Sequence, residues 1–234
     1  MNVELNIRAH LNLSDRSQRI ILIALCVTLT LLYRFLFYKT NVFYLDGDEA
    51  VVGLMGIDML SGEFPLYFYG QTYGFSLVEV LPIALGISLF GTTVLAVKLP
   101  MLLMWCASLV LLVLTTHHLT KKNFVMSTLV MLVLITLPTW MVWSMKARGG
   151  YLTALLFSSL VIYLLVVSRY KSNNWFWGLI GVLLALIYEA QPLWFPTTLL
   201  SVILLPIING VMPNKLVGKW GLALLTGLII WLCL

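Results

Sequence analysis

Charge is the scarcest property of this sequence. Lys, Arg, Asp and Glu together make up 10% of its 234 residues, whereas roughly a quarter of the residues in soluble domains are charged. Hydrophobic residues make up 61%, and the mean hydropathy is +1.01. So few charged residues cannot cover a water-exposed surface. The composition therefore excludes an ordinary soluble fold and predicts a polytopic membrane protein.

Cysteine is also rare, and its placement excludes two further classes. Cys26, Cys106 and Cys233 all lie in apolar runs without the Cys/His spacing of a metal site. They indicate neither a disulfide framework nor a metal centre. The net charge of +5 could suggest nucleic-acid binding, but the basic residues are dispersed in short loops, which membrane topology explains better.

Seven apolar runs approach the roughly twenty residues that a membrane-spanning helix needs. They are residues 20–38, 98–116, 124–143, 151–168, 175–193, 196–210 and 220–234. A further stretch from Leu77 to Phe90 is shorter and contains Glu79 and Pro82, so we expect it at the interface. The predicted fold is an all-α membrane protein with about seven transmembrane helices and with juxtamembrane helices in a first extracytoplasmic loop, 40–97.

The basic residues predict the orientation. With Leu77 to Phe90 at the interface and the N-terminus in the cytoplasm, every inner loop is basic, as the positive-inside rule requires. These loops contain Arg8, Arg16 and Arg19, then Lys121 and Lys122 with His117 and His118, which we expect to be solvated, then Arg169 and Lys171, and finally Lys215 and Lys219. Arg34 and Lys39 lie near the outer end of the first span, where long basic side chains can snorkel to the interface.

The acidic residues gather in one turn between apolar runs. Asp46, Asp48 and Glu49 lie in a segment that has no Lys or Arg between Lys39 and Lys98. Carboxylates beside a bilayer are costly to leave unpaired, so the turn is a candidate functional site. We expect no metal to be required, although a hard divalent cation could bind these oxygen atoms.

Helix capping is the structural explanation for the same acids. Asp46 is in position to be the N-cap of a surface helix over Ala50 to Leu60, and Glu49 is in position to complete a capping box. Asp48 is not needed for that cap. Capping therefore explains two of the acids and leaves the third without a structural role.

A second candidate site follows the third apolar run. Lys146 and Arg148 come just before a predicted helix, separated from it by Gly149 and Gly150. Free amides at a helix N-terminus bind anions, and glycine lets a ligand approach the main chain. The turn therefore predicts a phosphate site, with lipid headgroup binding by the two cations as the alternative.

Five motifs follow one another in a fixed order along residues 20–195. In chain order, they are 48–50 (DEA) in a surface helix, 64–74 (FPLYFYGQTYG), 89–91 (LFG), 98–100 (KLP) and 144–151 (SMKARGGY). This order resembles bacterial polyprenyl-phosphate-dependent glycosyltransferases of the GT-C fold. That superfamily includes the protein O-mannosyltransferases and the lipid A aminoarabinose transferase.

The resemblance implies a function and a set of roles. Asp48, with Glu49 beside it, would deprotonate or orient the hydroxyl of a glycan, lipid or protein acceptor. The donor phosphate would be held by Lys146, Arg148, Gly149 and Gly150. Attack from the side of Asp48, with the phosphate leaving toward Lys146, would invert the configuration at the anomeric carbon. Tyr69, Gln71, Tyr73 and Glu79 would contact the substrate. The tyrosines could instead form an interfacial aromatic belt, and Glu79 could instead pair with Arg148 or Lys146.

The same resemblance implies a location and a larger enzyme. It implies a bacterial inner membrane protein with its active site outside the cytoplasm, and no required cofactor. Residues 1–234 are expected to be a single domain truncated at its C-terminus, because such enzymes continue through further helices. Activity of these residues alone is therefore left open. Two other classes stay open as alternatives, a noncatalytic membrane subunit and a transporter or flippase for a polyprenyl-linked sugar.

Overall fold

A computed structural model describes residues 14–36, 44–71, 74–168 and 173–234. Within these ranges the chain is all-helical, and an isolated bridge between Tyr67 and Phe75 is the only β pairing. The helices are α1 (Asp15–Phe35), α2 (Gly47–Leu60), α3 (Leu77–Phe90), α4 (Val94–Leu119), α5 (Phe124–Thr136), α6 (Pro138–Trp143), α7 (Tyr151–Val167), α8 (Asn174–Ala190), α9 (Phe195–Ile208) and α10 (Val217–Cys233). Outside the described ranges lie Tyr73 and the basic residues Arg8, Lys39, Arg169 and Lys171.

Two of these helices are long and apolar enough to cross a membrane. They are α1, with 21 residues, and α4, with 26 residues. The helices α3, α5, α7, α8, α9 and α10 are apolar as well, but shorter. The all-helical fold is thus confirmed for the described part of the chain, while the count of seven crossings stays a prediction.

The run at 124–143, which we predicted as one span, is two helices. The residue between them, Leu137, has an extended backbone with φ −56° and ψ 122°. Pro138 causes the break, because its ring disfavours the helical conformation of the preceding residue and because proline has no N–H to donate. The prediction from hydropathy alone was wrong here, since a continuous apolar run does not require a continuous helix.

The side chain of Arg34, on α1, donates hydrogen bonds to residues on both sides of this break. This side chain is fully buried, and it donates from Nη1 to the carbonyl of Ile135 at 3.0 Å and from Nε to Ser144 Oγ at 2.8 Å. Nη2 donates to the carbonyl of Trp140 at 3.3 Å. The expected snorkelling of Arg34 was therefore wrong, because the carbonyl of Ile135 at the broken end of α5 needs a donor away from water.

The helix α4 is at the centre of the fold and packs against α1, α3, α5 and α7. Its contact with α3 is close at Gly86, where an added Cβ would lie 2.4 Å from the carbonyl oxygen of Ala96. Buried apolar side chains of α2, α3, α4 and α7 form one core beside this contact, including Met55, Ile83, Met101, Trp105 and Leu152. This core supports the segment that carries the acidic turn.

The end of α4 lies beside the start of α1. Near its end, His117 Nε2 lies 3.4 Å from Asp15 at the start of α1, so α1 and α4 run in opposite directions. We call this the inner end, after the predicted orientation, and the opposite end the outer end. His117 is buried with Nδ1 3.2 Å from Ser127 Oγ, so the expectation that it is solvated was wrong.

Candidate functional site

The acidic turn forms the first turn of α2 at the outer end. Asp46 Oδ1 accepts the amide of Glu49 at 3.0 Å, and Glu49 Oε2 accepts the amide of Asp46 at 3.0 Å. This reciprocal pair is a capping box, so the predicted cap is confirmed. Asp48 takes no part in it, and its side chain is 54% exposed.

The cationic turn is anchored by alternate residues. Met145 and Ala147 are fully buried in the core beside α4, whereas the side chains of Lys146 and Arg148 are 19% and 30% exposed. Because the apolar residues alternate with the basic ones, burying the first set turns the second set outward together. The core thus places both cations on the same side of the turn.

Both cations contact the acidic turn. Lys146 Nζ lies 2.5 Å and Arg148 Nη2 lies 2.8 Å from Asp46 Oδ2. Arg148 Nε also lies 3.6 Å from Asp48 Oδ2, which is beyond hydrogen-bonding distance. The two turns that the sequence assigned to one membrane surface therefore meet at the outer end.

These contacts keep Asp46 ionised. Partial burial alone would raise the pKa of its carboxyl, but hydrogen bonds from Lys146, Arg148 and the amide of Glu49 outweigh burial and hold the pKa well below its usual range. A carboxylate with so low a pKa is a poor proton acceptor near neutral pH. Asp46 therefore acts as a counter-ion, and Asp48 is the carboxylate of this turn that faces solvent.

Arg148 also lies beside an apolar cavity. Its guanidinium carbon is 5.0 Å from the ring centre of Trp143, and the Trp143 ring stacks at a tilt on Tyr151. These two rings line a cavity of about 250 Å³ together with Trp105, Trp140 and other residues. The cationic turn thus borders an aromatic surface.

Glu49 does not face solvent, contrary to its predicted place beside a catalytic Asp48. Its side chain is fully buried and forms an ion pair with Lys98, which is 1% exposed. No role for Lys98 was predicted from the sequence. A lysine four residues after the start of a long apolar helix was the available signal, because such a cation needs a buried partner.

Glu79 is fully buried and accepts hydrogen bonds from the main chain. Its Oε1 accepts the amides of Gly150, Leu152 and Thr153 at 3.0, 3.0 and 3.2 Å. Burial raises the pKa of Glu79 to about 7, although these amides favour the carboxylate. The alternative ion pair with Lys146 or Arg148 is thus absent among the described contacts of Glu79, and a substrate contact by Glu79 stays a prediction.

This carboxylate also changes the predicted phosphate cradle. We expected free amides at the start of α7, but Glu79 already occupies those of Gly150, Leu152 and Thr153. The two glycines serve close packing: an added Cβ on Gly149 would lie 2.7 Å from the Phe68 ring, and one on Gly150 would lie 2.5 Å from the carbonyl oxygen of Ala190. The side chains of the turn, and not these amides, are open to an anion.

The segment with tyrosine and glycine is held away from Asp48. Tyr69 donates its hydroxyl to Asp58 Oδ2 at 2.6 Å, and Asp58 lies ten residues after Asp48, or about 15 Å along a helix with a rise of 1.5 Å per residue. Gln71 is exposed. Sugar contacts by Tyr69 and Gln71 stay predictions, and Tyr73 lies outside the described residues.

Residues at the end of α8 hold this segment in place, and their signal in the sequence is weak. The hydroxyl of Tyr67 donates to Glu189 Oε2 at 2.9 Å, and the amides of Gly74 and Phe75 donate to the carbonyl of Glu189. Gln191 is buried with Nε2 3.5 Å from the carbonyl oxygen of Gly149. The end of α8 therefore ties the loop before α3 to the cationic turn.

The acids of the turn are not grouped for a metal ion. Among the residues that the structure describes, no group of three or more His, Cys, Asp and Glu side chains is arranged to hold one. Asp46 faces Lys146 and Arg148, and Glu49 faces Lys98. The alternative of a cation bound by all three acids does not fit this arrangement.

No family model, curated protein or solved structure matches this chain. The resemblance to membrane glycosyltransferases therefore stays a prediction from the order of motifs. The arrangement itself offers an exposed carboxylate, two cations in contact with the same turn and an adjoining aromatic cavity. Such a site can accept a proton on one side and stabilise an anion on the other.

Proposed function

We propose that this protein is a membrane glycosyltransferase, or the N-terminal part of one, that transfers a sugar from a polyprenyl phosphate to an acceptor hydroxyl. One observation carries the proposal: the exposed carboxylate of Asp48 lies beside Arg148, which with Lys146 forms a cationic turn at the same end of the fold. Group transfer from a phosphate needs both features, a proton acceptor and a site for the departing anion.

In the proposed reaction Asp48 takes the proton of the acceptor hydroxyl. The hydroxyl oxygen attacks the anomeric carbon as the bond from that carbon to the phosphate oxygen breaks, and the electron pair leaves with the polyprenyl phosphate. Attack opposite to the leaving group inverts the configuration. A positioned general base is worth a factor of about 10² to 10⁴, and the exposure of Asp48 allows an acceptor to reach it.

Lys146 and Arg148 stabilise the departing phosphate in this scheme. Charge-assisted hydrogen bonds from fixed cations to a developing anion are among the largest catalytic contributions. Arg148 Nε makes no hydrogen bond to a described residue, so its N–H group can donate to the phosphate. The phosphate competes with Asp46 for the remaining donors.

The proposed location is the bacterial inner membrane, with the outer end facing away from the cytoplasm. In this arrangement α1, α4, the α5–α6 pair, α7, α8, α9 and α10 make seven crossings, and α2 and α3 lie at the outer interface. Support comes from the apolar lengths of α1 and α4 and from basic groups at the inner end, where Arg19 and Lys122 flank Asp15.

A noncatalytic membrane subunit is the second candidate. It is favoured by the ion pairs from Lys146 and Arg148 to Asp46, because the same contacts could serve only to join α2 to the turn before α7. In that case Asp48 would have no chemical role. The two candidates therefore differ in what happens when Asp48 loses its charge.

The test is sugar transfer by the protein in liposomes that contain a panel of polyprenyl-phosphate sugars. We expect D48N to lower the transfer rate by a factor of about 10² or more while polyprenyl phosphate still binds. The double variant K146Q/R148Q should weaken that binding. E63Q, which removes an exposed charge from the same outer loop, is the matched control and should transfer normally.

Three results would contradict the proposal. Transfer by D48N at the rate of the unaltered protein would remove Asp48 as the base. Equal loss of donor binding and transfer in D48N would favour a binding or transport role. A protein that binds polyprenyl phosphate but transfers no sugar in any variant would favour the noncatalytic subunit.

A further inference from the structure

A polar cavity lies at the inner end, remote from the acidic turn. It has a volume of about 160 Å³ and lies between the start of α1 and the ends of α4 and α7. Arg19, His117, His118 and Lys122 contribute to its lining, together with Tyr163. Its volume is below the range of about 300 to 1,000 Å³ typical of sites that enclose whole small-molecule ligands, so a headgroup or a small ion fits it better.

Asp15 is the only acid among the described lining residues of this cavity. It lies 3.1 Å from Arg19 Nη2, 3.2 Å from Lys122 Nζ and 3.4 Å from His117 Nε2. A guanidinium has five N–H donors and an ammonium has three, so one carboxylate cannot satisfy them all. The cavity keeps a surplus of positive charge and of donors.

His117 draws on the same carboxylate. Its side chain is only 3% exposed, and its Nε2 faces Asp15 Oδ1 at 3.4 Å without the geometry of a full hydrogen bond. A buried polar atom without a full hydrogen bond is costly, so Asp15 faces a third group besides Arg19 and Lys122. The demand for anionic acceptors around the cavity therefore exceeds what Asp15 supplies.

Apolar side chains flank the charged residues. Ile20 and Ile23, which follow Arg19 on α1, are 56% and 38% exposed, and Val167 at the end of α7 is 41% exposed. A free phosphate makes no use of such neighbours, whereas the acyl chains of a lipid would cover them. Basic pockets between helices on the cytoplasmic side of a membrane are a recurring site for anionic headgroups.

We propose that the inner cavity binds the phosphate of an anionic phospholipid from the inner leaflet, with Arg19 and Lys122 as its cationic ligands. The lipid shares these cations with Asp15 and lays its acyl chains along the exposed apolar side chains of α1 and α7. This site is separate from the proposed sugar transfer and does not depend on it; only its assignment to the inner leaflet rests on the proposed orientation.

The test is lipid binding to the whole chain in detergent, measured by native mass spectrometry with phosphatidylglycerol and phosphatidylcholine as probes. Each basic side chain near an anionic lipid contributes about 1 kcal/mol, or about fivefold in affinity. We therefore expect R19Q/K122Q to bind phosphatidylglycerol about thirtyfold more weakly. Binding of phosphatidylcholine should change little.

Two further variants make the test specific. D15N removes the competing carboxylate, so we expect it to bind phosphatidylglycerol about fivefold more tightly, an effect that loss of folding cannot imitate. K215Q/K219Q removes two other predicted inner-face cations that do not line the cavity and should leave the affinity unchanged.

Three results would overturn the proposal. These are equal affinity of R19Q/K122Q and the unaltered chain for phosphatidylglycerol, an equal loss in K215Q/K219Q, and weaker binding by D15N. Inorganic phosphate is the last arm: displacement of phosphatidylglycerol by inorganic phosphate at matched concentration would assign the cavity to the free ion, whereas retention of the lipid supports our proposal.

Discussion

The buried ion pair of Glu49 and Lys98 provides a sharp test of how the outer end is held together. Both side chains are excluded from solvent, and Glu49 also accepts the amide of Asp46. We consider K98M, which keeps the length and apolar stem of the side chain but removes its charge. The variant leaves a buried carboxylate with one hydrogen bond and without its cation.

The expected cost follows from this environment. Removing one partner of a buried ion pair typically lowers the free energy of unfolding by about 3 to 5 kcal/mol, whereas replacing both partners by uncharged groups is often close to neutral. E49Q/K98M should therefore recover most of the loss. Glutamine can also complete a capping box, so this double variant keeps the cap of α2.

The assay is unfolding in mixed micelles by titration with a denaturing detergent, for the unaltered chain, K98M, E49Q and E49Q/K98M. K215M is the control, since Lys215 is exposed and its replacement should change the free energy of unfolding by less than about 0.5 kcal/mol. If K98M cost no more than K215M, or if the double variant cost the sum of the single ones, the reasoning would be refuted.

Two other predictions concern the turns. G150A should lower the free energy of unfolding by at least about 2 kcal/mol, because Gly150 has φ +97° and an added Cβ would meet the carbonyl of Ala190. G47A is the control, since an added Cβ on Gly47 meets nothing within 4 Å. Equal melting temperatures of the two variants would contradict this prediction. The lowered pKa of Asp46 stabilises the fold fully above the unfolded pKa of about 3.9, and this stabilisation is lost as the pH falls toward the folded pKa. Between about pH 5 and pH 3 the unaltered chain should therefore lose more stability than D46N, and parallel curves would count against the ion pairs with Lys146 and Arg148.

Local patterns in the sequence identified much of the outer end. The capping box depends on residues three positions apart, so Asp46 and Glu49 could be assigned from spacing alone. The bounds of α3 followed from the end of an apolar stretch at Gly91. Acids confined to one turn, and cations where the topology expects few, also led to the correct pairing of the two turns.

Long-range partners could not be read from the same patterns. Lys98 meets Glu49 and Glu79 meets Gly150 only after the helices have packed. Nothing in the local spacing specifies these contacts, so the partners of a buried acid such as Glu79 could not be predicted. The break before Pro138 was different, because the residue before a proline carries a local signal that hydropathy averaging concealed.

Asp46 divides its two carboxylate oxygens between two tasks. Oδ1 accepts the amide of Glu49 at 3.0 Å, whereas Oδ2 accepts both Lys146 and Arg148. An incoming anion can thus exchange with one oxygen while the other keeps the first turn of α2 wound. Counter-ion exchange at this surface is therefore uncoupled from local unfolding, and the cations can change partners beside a helix that stays intact.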